Sequence, residues 1–208
     1  MPVSLYGQIS DMDEIMAIAQ KHKLTVVEDA AQSFGALYKN RRSCAVSHIG
    51  CTSFFPAKPL GAFGDGGAIF TSDPDLYKKL EAIRVHGQTK RYYHEYIGVN
   101  GRLDPIQCAV VKEKLKSYDS DLEKRREIGF AYNDAFSGLE GVTIPVVRSD
   151  RNTVFAQYTL RVANRDAFAK KLEQEGIPTS IHYPFGMHEQ PIYKHLKLSL
   201  PVTEKVSK

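Results

Sequence analysis

The chain has 208 residues, of which 42% are hydrophobic and 25% are charged, as in ordinary folded proteins of one large or two small domains. This composition excludes a disordered chain, a collagen and a coiled coil, and no stretch approaches the roughly 18 uncharged apolar residues of a membrane span. The net charge of +4 is spread along the chain, so we expect neither a nucleic-acid partner nor a membrane partner.

Helix and strand signals alternate in the first half of the chain. Asp11, followed by Glu14, resembles a capping box and predicts the start of a helix. Residues 24–28 form a short β-rich run that ends at Asp29, as buried parallel strands do. This alternation predicts an α/β layer with a mostly parallel sheet. Further predicted elements are strands at residues 53–55 and 68–71 and a helix that begins at Pro74.

The pattern changes in the second half, where short strands and helices predict a smaller α+β unit. We therefore expect a domain at residues 1–118 and a second one at residues 119–208. The predicted elements are helices at 105–118, 122–136 and 166–174 and strands at 142–147, 157–162 and 179–182, with a polar turn at 148–152.

One lysine lies in a loop of special composition. Lys58 stands between Pro56 and Pro59, after an apolar run and before the glycines of residues 61–67. Prolines fix φ and glycines allow tight turns, so this loop can hold one amine in a partly dry site, where a lysine can act as a Schiff-base nucleophile. The alternative is a surface lysine beside a glycine-rich turn. A nucleotide-binding module is a further alternative, although the glycine spacing matches neither a P-loop nor a dinucleotide fingerprint.

A carboxylate at the end of the first predicted strand is the second candidate. Asp29 lies where open α/β sheets bind ligands, and it could pair with a protonated ring nitrogen such as that of pyridoxal 5′-phosphate (PLP). The alternative is a helix cap or a solvated strand end.

Together with these two candidates, a series of ordered motifs resembles the DegT/DnrJ/EryC1/StrS family of PLP-dependent nucleotide-sugar aminotransferases. The resemblance covers essentially the whole chain. It implies an α/β PLP-dependent transferase of the aspartate aminotransferase architecture (fold type I), with a partial PLP-binding large domain and a partial small α+β domain. The motifs are residues 2–7, 28–32, 53–58, 64–67, 84–87, 98–104 and 182–184.

The resemblance also implies residue roles in an enzyme that binds PLP. Lys58 would form the Schiff base and carry the proton during catalysis. Asp29 would keep the pyridine nitrogen protonated, Gln32 would lie near the phenolic oxygen of the ring, and Ser53 would donate to the phosphate. Asn100 would reach the phosphate in the neighbouring subunit, which implies a homodimer with shared active sites.

Residues 85–88 and 97–104 further resemble aminotransferases of 3-keto UDP-N-acetylglucosaminuronic acid, which make amino sugars of bacterial O-antigens and other surface polysaccharides. The implied reaction moves an amino group from glutamate to C3 of a UDP-linked keto sugar. Arg102 suits the sugar carboxylate, because a guanidinium binds one through two parallel hydrogen bonds. The alternative is an arginine at a helix entry that pairs with Asp104.

Two residues near the C-terminus match family positions that contact the nucleotide sugar. They are His182 and Tyr183. The alternative for His182 is a histidine at a strand end whose ring is satisfied by the backbone.

The chain also departs from the family. Ser4 stands where histidine is usual, and Ala57 where some relatives have serine. The first strands and helices of the family are absent, and residues 199–205 look like the lead-in to a missing helix and strand. We therefore expect a truncated enzyme or, as the alternative, a non-catalytic remnant that dimerises without functional PLP binding.

The cysteines and the N-terminus indicate a cytoplasmic protein. Cys44, Cys51 and Cys108 form no C-x-x-C motif and are expected to be reduced thiols. The first residues do not have the pattern of a signal peptide. No histidine or cysteine pair has metal-ligand spacing, so we expect no metal site.

Overall fold

The computed structural model describes residues 1–207, which form two compact units. The first unit comprises Met1–Ala135 and Val146–Tyr158, and the second comprises Phe136–Pro145 and the chain from Thr159 onward. The predicted boundary between residues 118 and 119 falls at the start of a long helix, and this division into domains stays a prediction.

The helices are α1 Met12–Lys21, α2 Pro74–Arg84, α3 Pro105–Lys114, α4 Tyr118–Phe136, α5 Arg165–Gln174 and α6 Pro201–Val206. The strands are β1 Val27–Asp29, β2 Leu37–Tyr38, β3 Arg41–Arg42, β4 Ile49–Ser53, β5 Gly67–Phe70, β6 Gln88–Lys90, β7 Tyr93–His94, β8 Val142–Thr143 and β9 Arg161–Val162.

The first unit is built on a three-stranded sheet in the order β1-β4-β5. β1 runs parallel to β4, with Asp29 opposite Cys51, whereas β4 pairs with β5 in the antiparallel sense. Parallel pairing is therefore only half of this sheet, which corrects the expected mostly parallel arrangement. Burial alternates along β4, where Gly50 and Thr52 are buried and their neighbours are partly exposed. One face of the sheet thus lies on the core, and the other is half-open.

The hydrophobic core of the first unit joins the buried sheet face to three helices. Met12 and Ala19 of α1, Val111 of α3 and Leu122 of α4 contribute to it. Other buried members lie in the loops and short strands around β1 and β4, namely Val26, Ala36, Tyr38, Val46, Phe54, Leu60 and Ala62. Since these residues surround β1 and β4, the core fixes the ends of the two strands that carry the candidate site.

Two strands of the sheet differ in extent from their predictions. The run at residues 24–28 becomes a strand only from Val27, because Leu24 is 59% exposed and follows the end of α1. The predicted strand at 53–55 is wrong in position, since β4 ends at Ser53. The amide of Phe54 turns away to donate to the carbonyl of Gly66 at 2.7 Å, and Pro56 has no amide to offer a ladder.

The strands predicted on either side of the polar turn at residues 148–152 are shorter than expected, and they do not continue up to the turn. β8 and β9 do pair, with Val142 opposite Val162, but the chain between them returns to the first unit. There Asn152 exchanges hydrogen bonds with Leu37: the Leu37 amide donates to Asn152 Oδ1 at 2.7 Å, and the Asn152 amide donates to the Leu37 carbonyl at 3.0 Å. Local sequence pattern cannot reveal such distant partners.

Smaller corrections concern the expected capping box, one predicted strand and the start of one helix. α1 begins after Asp11 as predicted, but this carboxylate makes no capping bond and instead accepts from Arg148 and Arg151. The strand predicted at residues 179–182 is absent from the structure, where these residues are irregular. The helix predicted at residues 122–136 begins earlier, at Tyr118. None of the helices in residues 1–207 has the length and apolar composition of a membrane span.

Arg151 joins the segment 146–158 to the rest of the first unit. Its side chain is only 5% exposed, donates to Asp11 Oδ1 at 2.6 Å and to the Ile9 carbonyl at 2.6 Å, and lies 4.7 Å from the centroid of the Tyr38 ring. Arg151→Ala is therefore expected to lower the free energy of unfolding by about 3 kcal/mol in urea titrations. Arg148→Ala is the control, because that side chain is 62% exposed and its pair with Asp11 contributes less than about 1 kcal/mol. Equal losses in the two variants would contradict the assigned role.

Candidate active site

Asp29 lies on the half-open face of the sheet, at the carboxyl end of β1. Opposed residues of a parallel pair point to the same side, so Asp29 and Cys51 share a face. Ser53 is two residues beyond Cys51 and shares that face as well. Glu28 points to the opposite, buried face. The structure thus brings Asp29 and Ser53 together at one edge of the sheet, where open α/β sheets bind ligands.

Hydrogen bonds hold the backbone of Asp29 at both its amide and its carbonyl, while its carboxylate can still accept further hydrogen bonds. The Asp29 amide donates to the Pro2 carbonyl, and the Asp29 carbonyl accepts from the Ser4 amide, each at 2.9 Å. The side-chain Oδ1 accepts from the Ala31 amide at 3.0 Å. Among residues 1–207, no cationic side chain forms an ion pair with Asp29. A half-buried carboxylate without a cation is suited to a positively charged ligand group.

Lys58 lies in the loop that follows β4, and this loop closes on itself. The Phe54 amide donates to Gly66 and the Ala62 amide to the Phe54 carbonyl, both at 2.7 Å. The Lys58 amide donates to the Phe55 carbonyl at 2.9 Å. Lys58 is partly buried, and its amine has no hydrogen bond or ion pair to any other described residue. An amine held in a closed loop without a carboxylate partner remains available for reaction with a ligand.

Gln32 and Ser53 are engaged in local contacts. The Gln32 side chain is buried, and its Oε1 accepts from the Tyr6 amide at 2.7 Å. Tyr6 has a left-handed φ of 60°, so this bond holds an unfavourable turn in place beside β1. Ser53 Oγ accepts from the Phe55 amide at 3.1 Å and keeps its hydroxyl hydrogen for donation. The Gln32 amide group and the Ser53 hydroxyl, which follow or end the two strands near Asp29, are therefore already oriented by hydrogen bonds.

Asn100 and Arg102 lie on a different loop of the first unit, between β7 and α3. Asn100 forms a β-bridge with Val85, and this connects the loop to the end of α2. Arg102 Nη1 is 3.5 Å from His86 Nε2. Within residues 1–207, Arg102 forms no ion pair with Asp104, so the alternative of a helix-entry pair is not realised. The guanidinium is exposed and able to bind an anion.

His182 and Tyr183 belong to the second unit. Their rings are 5.5 Å apart between centroids and nearly perpendicular, in an edge-to-face arrangement. The expected strand end at this position does not exist, because residues 179–182 form no strand. The two residues are thus neighbours of one another on an irregular segment.

Glu28, which the sequence did not single out, carries a buried carboxyl group on the face of β1 opposite to Asp29. Glu28 is fully buried, accepts from the Cys44 amide at 2.8 Å and accepts from the Ser4 hydroxyl at 3.2 Å. Burial raises the pKa of Glu28 above its ordinary value, and the two hydrogen bonds oppose that shift. A charged residue inside the motif at residues 28–32 was the only available signal. Ser4, which replaces the usual histidine of the family, is a partner in this buried contact.

The buried carboxyl makes stability depend on pH in a defined direction. A raised folded-state pKa means that Glu28 favours the fold most below its ordinary pKa and loses that contribution as pH rises through the raised pKa. Glu28→Gln should remove this loss, because the amide can accept from Cys44 and donate to Ser4. Glu28→Ala should cost about 2 kcal/mol, since both partners lose an acceptor. Urea titrations from pH 4 to pH 8 test this, and parallel pH profiles for wild type and Glu28→Gln would contradict it.

The α/β fold that carries the lysine loop and the strand-end carboxylate is that of the fold type I PLP-dependent transferases. The chain belongs to the DegT/DnrJ/EryC1/StrS aminotransferase family, whose model matches residues 1–208. This membership confirms the resemblance and the expected architecture. The ordered motifs found in the sequence therefore do reflect a common fold.

The similar proteins differ in the sugars that they are named for. The chain is 45% identical over 207 residues to UDP-2-acetamido-2-deoxy-3-oxo-D-glucuronate aminotransferase of Pseudomonas aeruginosa, covering 100% of this chain and 57% of the relative. It is 42% identical over 193 residues to dTDP-3-amino-3,4,6-trideoxy-alpha-D-glucose transaminase of Streptomyces venezuelae, covering 93% and 51%. A solved DegT DnrJ EryC1 StrS aminotransferase from Brucella abortus matches with a TM-score of 0.94 at 40% identity, covering 99% of this chain and 56% of that one. The chain thus spans little more than half the length of these relatives.

Proposed function

We propose that the protein acts as a PLP-dependent nucleotide-sugar aminotransferase, or as part of one. The reaction would move an amino group from glutamate to C3 of UDP-linked 3-keto-N-acetylglucosaminuronate, for surface polysaccharides such as the O-antigen. One observation carries the proposal. Asp29 ends β1, the partly buried Lys58 lies in the loop that follows the neighbouring strand β4, and neither side chain has a charged partner among residues 1–207. A cytoplasmic location belongs to the same proposal, because all three cysteines are free thiols.

The side chains of the candidate site fit PLP, which carries an aldehyde, a basic ring nitrogen and a phosphate. Lys58 would hold the aldehyde carbon covalently, Asp29 would bind the ring nitrogen, Ser53 would donate to the phosphate, and Gln32 would lie beside the ring. When bound, PLP supplies an electron sink for charge that develops on the carbon bearing the amine. The fit depends on a carboxylate that has capacity for a cation and on a hydroxyl that still has a hydrogen to donate.

The chain's own residues would do the remaining chemistry. The Lys58 Nζ would take a proton from the carbon that bears the amine and return one to the cofactor side, since it lies in a loop that restricts its position. Asp29 would keep the ring nitrogen protonated through an ion pair. The Ala31 amide already fixes the orientation of that carboxylate, so little ordering remains when a ligand binds.

Arg102 supports an acidic sugar as the substrate. An exposed guanidinium without a carboxylate partner among the described residues can bind the sugar carboxylate through two hydrogen bonds. The P. aeruginosa relative is named for a glucuronate substrate, which has such a carboxylate. His182 and Tyr183 would contact the nucleotide sugar, as the resemblance implies for these two positions.

A second copy of the chain is also part of the proposal. Asn100 would reach the cofactor phosphate of the partner subunit, so that two active sites are shared in a homodimer. The surrounding loop supports this, because Ile97 is 100% exposed and Tyr92 and Val99 are largely exposed. Apolar side chains of this size on one loop favour burial against another protein surface.

The experiment is a direct assay of the purified chain with PLP, glutamate and the UDP-linked 3-keto sugar. We expect 2-oxoglutarate and the 3-amino sugar in equal amounts, detected by mass spectrometry. The same sugar without its carboxylate should react with a higher KM in wild type, and Arg102→Leu should remove that difference. Amino transfer to both sugars with equal KM in wild type would contradict the acidic substrate.

The second candidate function is a non-catalytic remnant that dimerises without functional PLP binding. Absorbance separates the two candidates. A new visible band after PLP addition that is absent in Lys58→Ala supports the enzyme, whereas the absence of that band in wild type supports the remnant.

A further inference from the structure

Side chains of α3 contact the loop that holds Lys58 between Gly61 and Gly64. Lys114, in the last turn of α3, donates from Nζ to the Gly61 carbonyl at 2.6 Å. The same ammonium lies 5.0 Å from the centroid of the Phe63 ring. A charge-assisted hydrogen bond and a cation–π contact from one side chain hold two positions of the loop.

A second residue of α3 contacts the next part of the loop. Gln107 Oε1 accepts from the Phe63 amide at 2.8 Å. The Gln107 side chain also lies against Gly64, where an added Cβ would be 3.4 Å from Nε2. About two turns of α3 therefore separate the two side chains that contact this loop.

The inner side of the loop is packed as tightly, so that displacement of Gly61 would be transmitted toward Lys58. A Cβ on Gly61 would lie 2.4 Å from the Pro56 carbonyl oxygen, which leaves no room for any side chain there. The Ala62 amide is bonded to Phe54, and the Lys58 amide to Phe55. Gly61 is thus pressed against the short segment that carries Lys58.

We propose that Lys114 and Gln107 are positioning residues that hold the Lys58 loop in the conformation required for PLP attachment. The inference rests on the proposed role of Lys58. Neither side chain needs to contact the cofactor, because both act on the backbone at Gly61 and Phe63. Without these contacts the loop would open more often, and the Lys58 amine would spend less time in the reactive position.

Lys114→Met is the main test, because it keeps the length of the side chain but removes the charge. In the full 208-residue chain, we expect PLP attachment to Lys58 to slow by about tenfold. Attachment is measured by borohydride trapping and peptide mass mapping. Amide hydrogen exchange of residues 58–66 in the chain without PLP should become faster. Lys114→Arg should restore most of both values, since a guanidinium can reach the same carbonyl and ring.

Two further variants keep the test decisive. Lys112→Met is the matched control, because Lys112 is exposed on the same helix, and we expect wild-type values for it. Gln107→Leu should speed exchange and slow attachment as Lys114→Met does, which provides a second route if one variant folds poorly by circular dichroism. Attachment and exchange at wild-type values in both Lys114→Met and Gln107→Leu would overturn the positioning role alone. If wild type itself attaches no PLP at Lys58, the proposed function fails, and the positioning role fails with it.

Discussion

Lys58→Ala is expected to eliminate covalent PLP attachment and to reduce amino transfer by about a thousandfold or more. In the proposed reaction Lys58 is both the nucleophile and the group that moves the proton, and each role alone would support a large part of catalysis. The fold should be nearly unaffected, because the side chain is only partly buried and its amine has no partner among the described residues. Borohydride trapping, steady-state rates and urea titrations measure the three effects.

Lys58→Arg is the appropriate companion variant. It keeps a positive charge in the loop, but a guanidinium does not form a Schiff base under these conditions. We expect it to lose attachment as completely as Lys58→Ala. If either variant kept full transaminase activity, the assignment of the catalytic lysine would be wrong.

The sequence could predict those candidate site residues that stand out by their immediate neighbours in the chain. Lys58 stands between two prolines and before a run of glycines, and Asp29 ends a short β-rich run, so each stands out without knowledge of its spatial neighbours. Membership in the family confirms the architecture that these motifs implied. The register of β1 against β4 adds what the sequence could not supply, namely that Asp29 and Ser53 share a face.

The parts that could not be predicted depend on distant partners. Asp11 has the right spacing for a capping residue, yet Arg151 competes successfully for its carboxylate from 140 positions along the chain. Long-range packing also places segment 146–158 in the first unit, although the sequence predicted strands and a turn of the second unit there. Local propensity contributes tenths of a kcal/mol in such cases, whereas a buried arginine with several partners contributes a few kcal/mol.

The contact between α3 and the Lys58 loop also depends on partners that are distant in the chain. Gln107 and Lys114 look like ordinary polar residues of an amphipathic helix, and nothing in their spacing indicates a partner. Only the fold brings them within hydrogen-bond distance of Phe63 and Gly61. Residues that position a catalytic group through its backbone therefore escape motif-based reasoning more easily than the catalytic group itself.

Asp29→Asn is expected to lower amino transfer by about a hundredfold to a thousandfold, as does the removal of one preorganised electrostatic contact elsewhere. The amide keeps the size of the side chain and an oxygen to accept from Ala31, so the geometry is retained while the charge is lost. In the proposed site, a neutral side chain at position 29 would no longer hold the proton on the ring nitrogen of PLP. PLP attachment to Lys58 should remain within a few-fold of wild type, which separates loss of rate from loss of binding.

Glu28→Gln provides the matched control for this prediction, because it neutralises the adjacent carboxyl group on the opposite face of the strand. Glu28 contacts Cys44 and Ser4 in the interior, and its neutralisation should change the pH dependence of stability without changing the rate of amino transfer. The two substitutions differ by one position and by the face to which each side chain points. A wild-type rate in Asp29→Asn together with a large loss in Glu28→Gln would exchange the roles of the two carboxyl groups and refute the site as assigned.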